Sequence, residues 1–255
     1  MRVRAWRWWL TGIIVYLVFL LATFPAGYAV AWLQKRAPDV RLTAVTGSVW
    51  SGAAQDLILK GRSWGALQWH FDWRAPFSGH LGYSLQLHSP DLDLHGRVAG
   101  GRGDELLLQD LRGQLGIAHL APWLPLPPGS VGGTLKMQLA RVVLVHRLPT
   151  LADGVVSLVN VNLLWPESLV LGSYQLKLQS QAHQPIQGSL MDTSGPLILQ
   201  GSVSLTAGGR YTVQGTLVSR DPTNAALNNL LHYLPVNSAG QHPFSFDGQW
   251  PVGPE

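Results

Sequence analysis

A chain of 255 residues, of which 13% are charged and 46% apolar, has room for one large domain or two small ones. Its net charge of +4 is concentrated: Arg2, Arg4, Arg7, Lys35 and Arg36 stand in the first 36 residues without an acid, leaving 13 bases against 14 acids beyond them. With no basic surplus on the folded part, nucleic acid is excluded as a partner, since phosphate neutralisation supplies most of such binding; the absence of cysteine excludes disulfide scaffolds, thiolate zinc sites and thiol chemistry.

Residues 1–9 form a short tail ahead of Leu10–Leu33, a run of 24 residues without a charge. At about 1.5 Å per residue a helix of that length covers roughly 36 Å, enough for a hydrocarbon core of about 30 Å. Leu10, Phe19, Phe24, Trp32 and Leu33 are the expected anchor residues. Arg7, Trp8, Trp9, Lys35 and Arg36 are the expected interfacial ones, because indole rings and basic heads favour the headgroup region. Pro25-Ala26-Gly27 is expected to kink this transmembrane helix. A cleavable signal peptide competes, with Arg2–Arg7 as its basic end, Leu10–Phe24 as its apolar core and Ala29-Val30-Ala31 as its cleavage site. Apolar residues continuing through Val30, Trp32 and Leu33 favour the anchor. Basic residues flank both ends, so the charge bias is weak. The short tail puts the N-terminus in the cytoplasm and residues 34–255 outside it.

From residue 34 onward the chain reads as mainly β. Leu67, Trp69, Phe71 and Trp73 alternate with Gln68, His70, Asp72 and Arg74. The same period of two recurs at Tyr83–His88, Leu135–Ala140, Tyr174–Gln179, Leu197–Leu205, Tyr211–Val218 and Phe244–Trp250. Successive strand side chains point to opposite faces, so each run has one apolar and one polar face. Turn signals separate the runs: Ser78-Gly79, Gly100–Gly103, Pro127-Pro128-Gly129, Asp153-Gly154, Ser194-Gly195-Pro196 and Gly208-Gly209. Short turns between strands predict an antiparallel meander, curved or sandwich-like. One or two short helices interrupt it. Ile117–Leu124 is expected to form a helical turn before a proline-rich crossing, so that two sheet halves would join near 117–133. Asp221-Pro222 reads as an N-cap and first helical residue, with Leu227, Leu230, Leu231 and Leu234 on one face and Pro235 as the stop.

Chemistry-bearing patterns are sparse. The nine histidines include no H-x-H or H-E-x-x-H pair, and His88 and His95 around Asp91 and Asp93 read as a wet strand face. His70 and Asp72 share a face without a serine partner, and no nucleophile elbow, phosphate loop or dinucleotide fingerprint is present. No cofactor, metal or catalytic residue is therefore expected. Trp50, Trp64, Trp69, Phe71 and Trp73 cluster closely in sequence. They are expected to form either sheet core, which shared alternation favours, or a binding platform.

In order along the chain, Thr46-Gly47-Ser48-Val49-Trp50-Ser51-Gly52, Leu67-Gln68-Trp69, Gly96-Arg97-Val98, Leu108–Gly113, Gly129–Gly133, Leu171–Tyr174, Asp192–Leu197 and Gly209-Arg210-Tyr211 resemble the N protein family of the bacterial type II (general) secretion pathway. The resemblance implies an inner-membrane protein with a periplasmic domain, an accessory part of the machine that exports folded proteins. The partners implied are other secretion proteins, either the inner-membrane platform or the outer-membrane secretin. No catalytic residue is carried over. A weaker resemblance, to AsmA-like envelope proteins, implies lipid handling by an apolar β-groove instead.

Overall fold

The computed structural model describes residues 9, 12, 13, 16, 19, 20, 23–73, 75, 81–100, 104–123, 127, 129–164, 168–181 and 184–250. They divide into two compact units: Met1–Trp73 with Tyr83–Ser89, and Arg74–Gly82 with Pro90–Glu255.

The first unit contains helix α1 (Ala26–Arg36) and strands β1 (Val40–Thr43), β2 (Thr46–Gly47), β3 (Ser51–Ala54), β4 (Asp56–Leu59), β5 (Arg62–Ser63), β6 (Ala66–Asp72) and β7 (Leu81–Ser89). β1, β4 and β5 make a small antiparallel sheet, and the other strands run in the order β7-β6-β3-β2. The strands are short because the chain turns often. At Gly47, with φ +88°, a Cβ would lie 2.5 Å from the Ser51 carbonyl oxygen, so only glycine lets β2 and β3 meet this closely. Asp56 ties the β4–β5 hairpin, its carboxylate accepting from the Ser63 hydroxyl at 2.6 Å and the Gly65 amide at 3.1 Å.

The second unit is a meander in sequence order. Its strands are β8 (Leu92–Gly100), β9 (Glu105–Gly116), β10 (Val131–Val145), β11 (Leu148–Leu163), β12 (Leu169–Gln179), β13 (Ile186–Ser194), β14 (Leu197–Leu205), β15 (Arg210–Ser219) and β16 (His242–Gln249). Each pairs antiparallel with the next. Tyr174, Leu176 and Leu178 share one face of β12 while Gln175, Lys177 and Gln179 share the other, as period-two patterning requires. A second helix, α2 (Ala225–His232), lays Leu227 and Leu231, 0% and 3% exposed, against Val161, Leu169, Tyr174, Leu197 and Leu199 of the sheet and Ile117 of the 3-10 helix Ile117–Trp123. A separate apolar cluster gathers Val142, Ala152 and Ile186.

Several sequence expectations change. Pro25 does more than kink a helix. Thr23 is a turn, Pro25 is extended and bridges Ser48, and α1 begins afresh at Ala26, so residues 10–33 are not one unbroken helix. Residues 10, 11, 14, 15, 17, 18, 21 and 22 of that run lie outside the described residues, as do Arg7 and Trp8. Among the described residues no helix is long and apolar enough to cross a membrane. Asp153-Gly154 is not a turn but part of β11, Asp153 paired with Arg141 and Gly154 with Leu139 and Leu178. The turn falls instead at His146-Arg147, where φ is +51° and +65°. The N-cap of α2 is Asn224, whose side chain accepts from the Leu227 amide at 3.1 Å; Asp221 organises the preceding turn. Strands β9 and β10, on either side of the 117–130 connection, pair directly. The Ser78-Gly79 turn lies outside the described residues.

Candidate functional site

The most built feature of the first unit is the contact between α1 and the strands. Ala26, Ala29, Val30 and Leu33 recur at helical spacing, which puts them on one side of α1. Ala26 is 2% exposed and packs in a cluster with Ala54 and Trp69. Short side chains let the helix approach while leaving space beside it. The result is an apolar cavity of about 210 Å³ lined by α1, by Leu42 and Val49, and by Leu67, Trp69, Tyr83 and Leu85 of the strands. Burial pushes the Tyr83 phenol above its ordinary pKa, because a phenolate is poorly solvated there. Trp69 is fixed in the wall by its indole N–H, which donates to the Ser48 carbonyl at 3.2 Å.

The other side of α1 is exposed and aromatic. Tyr28 is 72% and Trp32 58% exposed, and Tyr28 touches the ring of Phe24. Arg36 sits 4.5 Å over the Trp32 ring. Lys35 and Arg36 occupy the last turn, where a helix C-terminus favours cations. Gln34 reaches from that turn to the Leu42 carbonyl.

Beside the cavity stands an aromatic group. Phe71 packs edge-on against Trp50, Trp73 and Tyr83 with centroids 4.9, 4.9 and 5.2 Å apart, and Trp50 stacks on Trp73 at 5.0 Å. Trp69 and Phe71 are each 8% exposed, whereas Trp73 lies beyond the end of β6 and is 63% exposed, so the buried face stops before it. Trp64 is half-buried in the link between β5 and β6, with its amide donating to the Leu57 carbonyl. The structure therefore brings Trp50, Phe71 and Trp73 together and puts Trp69 into the helix contact.

Of the anchor and interfacial positions that are described, Trp9, Phe19, Phe24, Trp32, Leu33, Lys35 and Arg36 are all exposed. His88, Asp91, Asp93 and His95 are exposed, and among the described residues no three His, Asp or Glu side chains converge as a metal site would require. The helix contact was missed from sequence. Its signal, the spacing of Ala26, Ala29, Val30 and Leu33, was present but hidden inside a longer apolar run.

Two comparisons bear on this arrangement. The sequence model of the family described as "Type II secretion system (T2SS), protein N" matches residues 38–245. A Klebsiella pneumoniae protein named "Type II secretion system protein N" is 27% identical over 244 residues, which cover 92% of this chain and 92% of that protein. No solved structure matches the chain.

Proposed function

The chain belongs to the type II secretion system protein N family, and on that premise we propose that it is an accessory inner-membrane component of the secretion system, supporting export of folded proteins across the outer membrane through protein–protein contacts. The observation that carries this is the extent of the match: residues 38–245 include strands of both units. The cavity offers apolar walls and a single phenol, that of Tyr83.

In this reading the N-terminal apolar residues hold the chain in the inner membrane, and residues 34–255 stand in the periplasm. Support comes from the uncharged run Leu10–Phe24 and from the aromatic and basic exposed side of α1 that follows it. Partners would be the inner-membrane platform or the outer-membrane secretin. A contact mode is available at β16, which ends the strand order of its sheet. An edge strand can accept an extended segment of another chain.

The experiment is a chromosomal deletion complemented by chains carrying a photo-crosslinking residue at Ser245 or Asp247, both exposed on β16. Deletion should lower the secreted fraction of an exoprotein while its periplasmic pool rises, and cross-links should join the chain to another secretion protein. Unchanged secretion in the deletion strain would sink the proposal.

A further inference from the structure

We propose that the cavity behind α1 is a lipid site, taking one acyl chain of an anionic phospholipid from the bilayer in which the chain is anchored. The inference rests on the membrane anchoring proposed above, but it adds a ligand and a place for it.

The cavity argues for an apolar occupant. It is an apolar space of about 210 Å³ that opens toward the surface, so a flexible apolar chain can enter it from outside. Ala29, Val30 and Leu33 of α1 face Leu67, Trp69 and Leu85 across it, so water entering would find few polar groups to bond. The surroundings argue for a lipid. α1 directly follows the uncharged run Leu10–Phe24 and carries exposed Tyr28 and Trp32 beside Lys35 and Arg36, the composition of a helix at headgroup depth. Between Leu10 and Gln55 the only acid is Asp39, against Lys35, Arg36 and Arg41. Lys35 and Arg36 occupy the last turn of α1, next after Leu33 of the cavity wall, and Arg41 adjoins Leu42, so this end of the helix carries the positive charge that an anionic headgroup at the interface would meet.

The test uses the full chain in nanodiscs containing phosphatidylglycerol whose acyl chain ends in a diazirine. Irradiation followed by peptide mapping should place label on peptides carrying Val30, Leu67 or Leu85, besides those of residues 10–24. Ala29→Leu and Val30→Phe narrow the cavity from the helix side. Each should lower labelling of the strand peptides roughly tenfold, the equivalent of about two displaced methylenes, while the melting temperature holds or rises. Lys35→Glu with Arg36→Glu should weaken strand labelling in phosphatidylglycerol discs more than in phosphatidylcholine discs. Label confined to residues 10–24 of the wild-type chain would overturn the lipid site and leave the anchoring intact. Label absent from both regions would overturn both. Strand labelling undiminished in the narrowed variants, or the cavity peptides cross-linked to another protein in cells and not to lipid, would also overturn the lipid site.

Discussion

Tyr174 shows how one residue reports on the second unit. It is 7% exposed, donates its hydroxyl to the Leu171 carbonyl at 2.6 Å, and lies near Asp192. Burial first, and the Asp192 charge second, push its pKa from 10.0 up to about 12. A phenol whose folded pKa is raised stabilises the fold fully below its unfolded value and loses that contribution as pH climbs through the folded one. The free energy of unfolding should therefore fall as pH rises from about 10 to about 12, by an amount on the order of 2 kcal/mol, and Tyr174→Phe should flatten that part of the profile. An identical alkaline profile in the Phe variant would show the phenol to be irrelevant. Asp192 itself is held by the Arg220 guanidinium at 2.7 Å and by the Leu199 amide at 3.2 Å. In the first unit, Trp69 and Trp73 share a sequence phase but not a fate. Trp69→Ala should destabilise by about 3–5 kcal/mol, the usual cost of removing a buried large aromatic. Trp73→Ala, losing mainly its stacking on Trp50 and its edge contact with Phe71, should cost roughly 1 kcal/mol. Denaturant titration of both variants separates them, and equal losses would contradict the burial difference.

At the scale of elements, capping and turns follow local chemistry that the linear pattern only brackets. Asp221 accepts from the Thr223 amide at 2.9 Å and from its hydroxyl at 2.7 Å, which lowers the Asp221 pKa and closes a turn ahead of α2. The helix starts later, at the residue whose side chain reaches an otherwise unpaired helical amide, Asn224. Asn224→Ala should therefore cost about 1 kcal/mol. Asp221→Ala should cost less, and a larger loss at Asp221 in thermal melts would return the cap to that position. The β10–β11 turn teaches the same lesson from the other side. Both central residues take positive φ, the geometry that suits the twist of a two-residue hairpin, yet they are His146 and Arg147 rather than Asn-Gly. Thirteen paired positions, interrupted by three register shifts, join β10 to β11, and the turn residues accept the conformation imposed on them.

For the whole molecule the consequence concerns the N-terminus. Cleavage after Ala29-Val30-Ala31 would remove Ala26, Ala29 and Val30, which form the helix side of the first unit's core and cavity. A chain trimmed there would uncover Trp69 and Leu67. The mature protein should accordingly keep residues 26–36, and intact-mass measurement or N-terminal sequencing checks this. A mature chain starting at Trp32 would mean that the first unit holds together without half of its helix contact.

By itself, the sequence determined the mainly β class and the antiparallel meander, because alternation with a period of two and short turns are properties of the chain's own geometry, independent of what it packs against. It also determined the neutral, apolar character of Leu10–Phe24, and the short helical piece at Ile117. Only the tertiary structure decided that the apolar run breaks at Pro25 and that its remainder packs on Trp69. A hydrophobic run has the same composition whether lipid or protein covers it; the difference lies in the Pro25–Ser48 bridge and the fit of alanines against an indole, contacts between residues distant in sequence. Tertiary structure likewise decided where the buried face of β6 ends, since Trp73 continues the alternation but lies beyond the strand's last residue, Asp72, and is 63% exposed where Phe71 is 8%. Burial needs a neighbour to cover the side chain, and periodicity carries no information about where the neighbour stops.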